Sequence, residues 1–296
     1  MTSLRLGERE LALDHAGPLL MGIVNASPES FSDGGLRPDA DAQVAHGLRL
    51  REEGAAIVDV GGESGVTSRP PIEAAEELRR VVPVVERLSD AGATVSIDTW
   101  KAPVARAALD AGAAMVNDPS GGHDPELILV CAEHDAGLVL THTRAAPKVK
   151  AFPAYDDVVA DVLAFLTERL AMAVKRGVSS DRIVVDPGVD LAKTPAQSVE
   201  ILRRLEEMQT LDRPILLAPS RKDFVGALTG RAPAARLAGT LAAVDRGASA
   251  GAAIVRVHDV AATADFLSVR AALRGETVLE PGLELAERLR RERAAA

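Results

Sequence analysis

Eight short apolar segments of the sequence are each followed by polar side chains that could bind a ligand or take part in catalysis. Each segment is rich in β-branched residues and precedes a longer amphipathic stretch, as expected for a strand that leads into a helix. A helix cap or a loop-closing hydrogen bond explains any one of these polar residues equally well. It does not explain all eight sets, because buried polar groups must pair with one another, with water or with a ligand. The residues are Asn25, Glu63, Asp98, Asn117 with Asp118, His142, Asp186, Ser220 with Arg221 and Lys222, and Arg256 with His258.

One group of these residues could bind an anion. Arg256 and His258 stand two positions apart, so their side chains share one face of a strand. Lys222 follows the preceding strand together with Arg221. Phosphate groups often bind beside the last two strands of an α/β barrel, and Asn25 would add an oxygen ligand for Mg²⁺ held by such a phosphate.

A second group combines hydrogen-bond acceptors with donors. The carboxylates of Asp98 and Asp186 would accept hydrogen bonds from ring N–H groups. The Asn117 amide and the Lys222 ammonium would donate to ring oxygen or nitrogen. The sequence therefore predicts a site for a flat nitrogen heterocycle with amino and oxo groups. An ion pair between Arg256 and either carboxylate is the structural alternative for that arginine.

Two other kinds of site fit the sequence less well. A zinc site is disfavoured because His142 and His258 have no further His or Cys at ligand spacing. A Ser-His-Asp triad lacks the GxSxG turn that exposes a nucleophilic serine. The single cysteine, Cys131, lies in an apolar helical stretch with no neighbouring base, so we expect a core thiol.

The elements that must position these residues alternate regularly along the chain. Strands are predicted at 19–26, 56–61, 94–98, 114–118, 138–142, 183–187, 214–218 and 253–258. Helices are predicted at 40–53, 74–91, 102–111, 125–136, 155–176, 195–209, 234–250 and 261–274. Left-handed helix ends are predicted at Gly54, Gly92, Gly112, Gly137, Gly177 and Gly251.

Eight strand and helix units without a GxGxxG fingerprint after the first strand favour a single (β/α)₈ barrel over a doubly wound sheet. The barrel is predicted as one domain over 1–296, with its core at about 17–275. The Arg- and Ala-rich tail at 285–296 is expected to form a frayed helix.

The composition restricts the partners and the location of the protein. Hydrophobic residues make up 47% of the 296 positions and aromatic residues only 2%, so the core must be aliphatic. A net charge of −9 argues against nucleic acids and anionic membranes as partners. No apolar run approaches the ~18 residues of a membrane span, and the N-terminal segment lacks secretory features. A cytoplasmic protein is therefore expected.

Several segments, in order along the chain, resemble the signatures of dihydropteroate synthase. They are MGIVN at 21–25, SFSDGG at 30–35, VDVGGES at 58–64, SIDT at 96–99, VND at 116–118, DPG at 186–188, SRK at 220–222, GT at 239–240 and VRVHD at 255–259. The resemblance covers roughly residues 17–275. It implies a barrel enzyme, usually a homodimer, that joins 6-hydroxymethyl-7,8-dihydropterin diphosphate to p-aminobenzoate in folate synthesis by an SN1-like loss of diphosphate.

The resemblance also implies roles for individual residues. Asp33, Arg69 and Lys222 would be catalytic. The pterin ring would be held by Asp98, Asn117, Asp186, Lys222 and Arg256. The diphosphate would be held by Asn25, Arg256 and His258, with Mg²⁺ at Asn25. The arylamine would be held by Phe31, Thr67, Ser68, Arg69, Leu191 and Asp223.

Three departures from the family pattern lie on the arylamine side. The loop after the second strand usually reads Ser-Thr-Arg-Pro, whereas four residues separate Ser64 from Arg69. Val-Asp-Leu at 189–191 replaces the common Ile-Gly-Phe, and Asp223 follows Lys222 where the family often has Ser or Arg. Two alternatives therefore remain: a paralogue that binds pterin without turnover, and a methyltetrahydrofolate:corrinoid methyltransferase. The methyltransferase does not need the basic sets after strands seven and eight.

Overall fold

Eight parallel strands alternate with helices along the chain, in a computed structural model that describes residues 3–7, 9–13, 17–26, 40–65, 67, 69–286 and 289–290. An antiparallel pair, β1 (Ser3–Leu6) and β2 (Arg9–Ala12), precedes them. The eight strands are β3 (Leu19–Asn25), β4 (Ala55–Gly61), β5 (Val95–Asp98), β6 (Met115–Asp118), β7 (Gly137–Thr141), β8 (Ile183–Asp186), β9 (Leu216–Leu217) and β10 (Ile254–Val257).

Helices connect successive strands and cover the outside of the sheet. They are α1 (Ala40–Glu52), α2 (Ala74–Asp90), α3 (Ala102–Asp110), α4 (Pro125–Glu133), α5 (Val158–Lys175), α6 (Pro195–Arg203), α7 (Asp223–Thr229), α8 (Leu237–Ser249) and α9 (Val260–Leu273). Short 3₁₀ turns lie at Ser180–Arg182, Leu205–Leu211 and Pro233–Ala235. Among the residues described, no helix has the length and apolar character needed to cross a membrane.

The sheet closes on itself. Its strands pair in the order β8-β7-β6-β5-β4-β3-β10-β9, all in parallel. A parallel bridge between Val185 of β8 and Ile215, just before β9, joins the two outer strands. There the amide of Val185 donates to the carbonyl of Pro214 at 3.0 Å. The predicted single (β/α)₈ barrel is therefore confirmed.

The apolar core has two parts. One part lies between the strands and the surrounding helices, and the other fills the barrel interior. Leu4 and Leu6 of β1 belong to the interior part and are almost completely buried. Their partners there are Met21, Ile57, Met115, Val139, Val184, Leu216 and Ile254. The β1–β2 hairpin thus closes the N-terminal end of the barrel, opposite the end that carries the polar residues.

The hairpin was not predicted from the sequence. It also explains Gly137, which was predicted to be a left-handed helix end. The left-handed conformation expected at Gly137 belongs instead to Asp135, with φ 53°, while Gly137 begins β7. A Cβ at Gly137 would lie 2.3 Å from Cδ2 of Leu6. Glycine is therefore needed there because the hairpin approaches closely. The other predicted helix-end glycines all have positive φ.

Three further elements differ from prediction. β9 contains only Leu216–Leu217, because the segment before it makes an isolated bridge in place of a ladder. Helix α7, at Asp223–Thr229, is not predicted, since seven residues that include Gly226 give too short a periodic pattern. Of the described tail residues, Leu285 and Ala286 are not helical and Leu289 lies in a 3₁₀ turn, so the expected helix does not begin at Leu285. Residues 287–288 and 291–296 of the tail lie outside the described part.

Candidate active site

A cavity of about 170 Å³ lies at the carboxyl ends of the barrel strands. Eight of the polar residues singled out from the sequence line it together, although they come from seven different strands or the loops after them. Parallel strands in a closed barrel all end on the same rim, which explains why distant residues converge. The eight are Asn25, Glu63, Asp98, Asn117, Asp186, Lys222, Arg256 and His258. We call this space the inner cavity.

Arg256 forms the central ion pairs of the inner cavity. Its Nε donates to Oδ2 of Asp59 at 2.6 Å, and its Nη2 donates to Oδ2 of Asp98 at 2.8 Å. The amide of Asn117 donates to the same oxygen of Asp59 at 3.1 Å. The structural alternative for Arg256 is therefore realised for Asp98. Its Nη1 makes no hydrogen bond with the described residues and remains available to a ligand.

Asp59 is a site residue that the sequence reasoning missed. Its side chain is completely buried, and its Oδ1 has no hydrogen-bond partner among the described residues. Asp59 lies within β4 between two valines and not at the strand end, where polar residues were sought. The sequence does indicate its importance, because an acidic residue inside an otherwise apolar buried strand requires polar or charged partners.

Burial changes the protonation of the two predicted pterin-binding carboxylates. It raises the pKa of Asp98, and neighbouring Asp59 raises it further, while Arg256 opposes the change. Burial also raises the pKa of Asp186, although Oδ1 of Asp186 accepts a hydrogen bond from the Gly188 amide at 2.7 Å. Both carboxyl groups therefore take up a proton more easily than they would in water.

Lys222 reaches the inner cavity from the N-cap position of α7. Burial lowers the pKa of its ammonium, and the carboxylates of Asp190 and Asp186 oppose that shift. Within the described part of the chain its Nζ has no hydrogen bond or ion pair. The ammonium is thus a donor that a bound ligand can use.

His258 is held by Ser220 at the end of the barrel. Ser220 Oγ lies 2.9 Å from His258 Nδ1 and accepts from the His258 amide at 3.2 Å. When the hydroxyl donates to Nδ1, the ring proton lies on Nε2. Burial lowers the pKa of His258 to about 4, with Arg221 and Arg256 acting in the same direction. Near neutral pH the ring is therefore an uncharged donor.

Other polar residues that follow the predicted strands make contacts within the protein. Arg221 pairs through two nitrogens with Asp259, at 3.2 and 2.8 Å, and does not line the inner cavity, so its place in an anion pocket with Lys222 stays a prediction. Asp118 accepts three hydrogen bonds from Ser120 and Gly122 in its own loop. His142 is completely buried and bonds to Asp161 at 2.9 Å. For Asp118 and His142 the loop-closing explanation applies.

A larger cavity of about 710 Å³ lies outside the inner one. The two share walls formed by Gly65, Trp100, Pro119, Leu191 and Lys222. Of the predicted arylamine-binding residues, Thr67, Leu191 and Asp223 line this outer cavity, whereas Arg69 is exposed and does not line it. Phe31, Asp33 and Ser68 lie outside the described residues.

The carboxylate of Asp223, at the edge of the outer cavity, is paired with an arginine. Its side chain is 86% exposed and forms an ion pair with Nη1 of Arg236 at 2.9 Å. The same nitrogen donates to the carbonyls of Arg221 and Lys222, at 2.8 and 3.1 Å. Arg236 therefore offsets the negative charge that Asp223 would otherwise present to an arylamine carboxylate.

A buried ion network holds the start of the loop after β4. Lys101 Nζ donates to Glu63 Oε2 and to Glu77 Oε2, both at 2.6 Å. Lys148, from the loop after β7, lies 3.3 Å from Glu63 Oε1 and donates to the carbonyl of Ser64 at 2.6 Å. Both glutamates are almost fully buried. The network joins three loops around the mouth of the barrel.

The residues around Asn25 fit a Mg²⁺ ion that is carried mainly by a phosphorylated substrate. Asn25 is exposed at the end of β3 and lines the inner cavity beside Arg256 and His258. Among the described residues, no three His, Cys, Asp or Glu side chains are placed to hold a metal. Mg²⁺ commonly takes one or two protein oxygens and completes its shell with phosphate and water. One amide oxygen is adequate for that arrangement.

The closed barrel and its two adjoining cavities define an α/β-barrel enzyme with a charged site for a polar ligand. The family described as pterin binding enzyme matches residues 21–258. The chain belongs to this family, among the dihydropteroate synthases. The dihydropteroate synthase of Bacillus subtilis is 41% identical over 82% of this chain and 84% of its own length.

Solved structures lead to the same family. Xanthomonas albilineans dihydropteroate synthase with 4-aminobenzoic acid has a TM-score of 0.86 and 44% identity, covering 92% of this chain and 98% of that one. The same enzyme in complex with 7,8-dihydropteroate has a TM-score of 0.83 and 43% identity, with the same coverage. The resemblance found in the sequence is therefore confirmed.

Proposed function

We propose that this chain condenses 6-hydroxymethyl-7,8-dihydropterin diphosphate with p-aminobenzoate, as a dihydropteroate synthase, to give 7,8-dihydropteroate and diphosphate. The observation that carries the proposal is the junction of the inner and outer cavities at Lys222, which gives two substrates adjoining places. The Xanthomonas albilineans enzyme has been solved with 4-aminobenzoic acid and with 7,8-dihydropteroate, one substrate and the product of this reaction.

The pterin ring would occupy the inner cavity. Asp186 and Asp98 would accept hydrogen bonds from the amino and ring N–H groups, while Lys222 would donate to a ring acceptor. Support comes from the Lys222 ammonium, which makes no hydrogen bond with the described residues, and from burial, which strengthens each of these contacts. Asn117 would contribute through its remaining amide hydrogen and its carbonyl oxygen, because its other donor is used by Asp59.

The diphosphate would lie on the side of the inner cavity formed by β3 and β10. Arg256 would bind it through Nη1 and His258 through Nε2–H, since Nε and Nη2 of Arg256 bond to carboxylates and Nδ1 of His258 bonds to Ser220. Asn25 would supply an oxygen to Mg²⁺. When bound, the ion would neutralise part of the negative charge that develops on the departing diphosphate.

The reaction would begin as the bond between the pterin methylene carbon and the diphosphate oxygen breaks. The electron pair leaves with diphosphate, where Arg256 and His258 stabilise the charge. The carboxylates of Asp98 and Asp186 stabilise the electron-poor pterin that remains. The arylamine nitrogen then attacks the methylene carbon from the outer cavity and loses a proton.

The arylamine would be bound by the walls of the outer cavity. Thr67, Leu191 and Asp223 line that space, and Leu191 would provide an apolar contact for the ring. Phe31, Asp33, Ser68 and Arg69 are proposed to complete the pocket as the loops after β3 and β4 close over it. Closure of this kind excludes water, which would otherwise compete with the arylamine for the methylene carbon.

We also propose a homodimer and a cytoplasmic location. A dimer is supported by exposed apolar side chains on the outer helices, with Leu228 of α7 71% exposed and Leu273 of α9 82% exposed. A reducing compartment is compatible with Cys131, which is a free and buried thiol.

The proposal can be tested by measuring diphosphate release and dihydropteroate formation in parallel. We expect equal amounts of both when the purified chain is given pterin diphosphate, p-aminobenzoate and Mg²⁺. Lys222→Ala serves as the inactive control. If diphosphate is released without dihydropteroate, or if neither forms while pterin still binds, the chain is a pterin-binding paralogue and the proposal is wrong.

A further inference from the structure

Lys222 enters the inner cavity from a part of the barrel where the sheet gives it little support. The strand before it, β9, contains only two residues, and Lys222 lies beyond the end of that strand. Its neighbour Arg221 has φ 58°, a left-handed conformation that costs energy for a residue other than glycine. Contacts from elsewhere in the fold must therefore hold this segment.

Asp190 provides one of these contacts from the loop after β8. Its Oδ2 accepts a hydrogen bond from the amide of Phe224, in the first turn of α7, at 3.2 Å. Its Oδ1 accepts from the hydroxyl of Ser198 at 2.8 Å, and its own amide donates to that hydroxyl at 3.1 Å. Ser198 lies on α6 and is completely buried. The carboxylate is thus fixed on α6 and caps α7.

Arg236 holds the same segment from the opposite side. Its Nη1 donates to the carbonyls of Arg221 and Lys222, and its Nε donates to the carbonyl of Arg231 at 2.9 Å. A Cβ at Gly226 would lie 2.2 Å from the Arg236 guanidinium, so the glycine of α7 permits this close approach. Asp190 and Arg236 together hold the backbone on both sides of Lys222.

We infer that Asp190 is a positioning residue for Lys222. Through its hydrogen bond to α7, Asp190 connects the loop after β8 to the segment that carries Lys222. The same loop contains Leu191, which lines the outer cavity, while the Lys222 ammonium lies in the inner cavity. The inference rests on the proposed synthase activity. Asp190 also lies among the residues that depart from the common family sequence, so this link belongs to the chain's own sequence.

The experiment compares Asp190 with a carboxylate that caps another helix. Asp124 accepts from the Glu126 amide in the first turn of α4 at 2.9 Å, so it matches Asp190 as a capping carboxylate. Asp190 also lines the outer cavity, whereas Asp124 lines neither cavity, so kcat/KM is compared for the pterin substrate of the inner cavity. We expect Asp190→Ala to lower kcat/KM for pterin diphosphate about tenfold or more, because small displacements of a reacting partner slow catalysis strongly. Asp124→Ala should retain the wild-type value. Asp190→Asn keeps an oxygen acceptor and should restore most of the loss at neutral pH.

A second measurement separates positioning from a general loss of structure. The charged or titratable groups around Lys222 are Asp190, Asp186, Asp98, Arg256, Lys193 and His258. Asp190 opposes the effect of burial on the pKa of Lys222. Asp190→Asn removes that charge, so the pKa of Lys222 should fall by about half a unit or more. The basic limb of the pH–rate profile should move in the same direction. NMR of labelled lysine side chains in the substrate-free protein measures this pKa directly, with the signal assigned by its loss in Lys222→Met.

The inference is overturned if Asp190→Ala loses no more kcat/KM than Asp124→Ala, or if the pKa of Lys222 is the same in Asp190→Asn and wild type. If Asp190→Ala does not fold, Asp190→Asn decides the question. An inactive wild-type chain would refute the proposed function, while the NMR titration would still test the link between Asp190 and Lys222.

Discussion

At the scale of single residues, Arg256 and Lys222 differ in what surrounds them. Arg256 is engaged with Asp59 and Asp98, whereas Lys222 makes no hydrogen bond with the described residues. Removing a partner from a buried ion pair leaves a carboxylate without its compensating charge, which destabilises the folded state. The two residues should therefore respond differently to substitution although both face the proposed pterin site.

We expect Lys222→Ala to abolish turnover with little loss of stability. Arg256→Ala should abolish turnover and also lower the free energy of unfolding by about 2–4 kcal/mol, because it leaves the buried carboxylate of Asp59 without its positively charged partner. Turnover assays and urea denaturation of both variants check this prediction. Equal stabilities would show that the Arg256 ion pairs contribute nothing to the fold.

The stability defect of Arg256→Ala should depend on pH. Burial already raises the pKa of Asp98, and removal of Arg256 raises it further. A carboxyl group whose pKa is higher in the folded than in the unfolded state stabilises the fold as it takes up a proton. The variant should therefore be closer to wild type at pH ~5 than at pH ~8 in thermal melts. A defect that grows as the pH falls would contradict this account.

His258 should report the binding of an anion. Burial holds its pKa at about 4 in the free protein, and an anion next to Nε2 would stabilise the protonated ring. We expect inorganic diphosphate with Mg²⁺ to raise this pKa in an NMR titration. His134, which bonds to Val130 and Asp110 away from the cavities, provides an internal control. An unchanged pKa for His258 would remove it from the proposed diphosphate site.

At the scale of elements, the loops at the mouth depend on one another through buried charges. Lys101 and Lys148 reach Glu63 from the loops after β5 and β7. Glu63 begins the loop that carries Thr67 and Arg69 on the arylamine side. The position of that loop is therefore set by residues distant from it in sequence.

Lys148→Met should loosen the loop after β4 on the side of the outer cavity, which Lys148 lines, while Lys101 still holds Glu63 at the inner cavity. We expect KM for p-aminobenzoate to rise about three- to tenfold, while KM for pterin diphosphate stays near the wild-type value. Steady-state kinetics with each substrate varied in turn measure both constants. Lys175→Met, at the exposed end of α5, is the control. A parallel rise in both KM values would argue against a selective role for the network.

At the scale of the whole molecule, stability and chemistry lie at opposite ends of the barrel. The β1–β2 hairpin closes the N-terminal end with Leu4 and Leu6, and the cavities open at the other end. Because the two ends are separate, the mouth of the barrel can contain buried charges while the apolar layers below it stay packed without them.

Leu6→Ala should lower stability without lowering kcat. Truncation of this buried side chain should cost about 2–4 kcal/mol, whereas Val278→Ala, at a 93% exposed position, should be neutral. Gly137→Ala should also destabilise, because its Cβ would meet Leu6. The double variant should be more stable than the sum of the two single effects predicts. Simple additivity would show that the hairpin does not pack on Gly137 as described.

The sequence by itself determined the barrel and most of the inner cavity. Strands and helices follow from local periodicity, and the residue after each strand must lie on one rim of a closed parallel sheet. For this reason eight polar side chains of the inner cavity could be named in advance. The same reasoning did not reveal the hairpin or α7, whose short segments have weak periodicity.

Only the tertiary structure decided which polar groups pair with one another. Arg256 meets Asp59 and Asp98 across 197 and 158 positions of sequence, and Asp190 caps α7 from another loop. Local pattern contains no information on such contacts, because they depend on the directions in which side chains leave the closed barrel. The tertiary structure therefore separated Asp98, Lys222 and Arg256, which face the cavities, from Asp118 and His142, which bond only within the described protein.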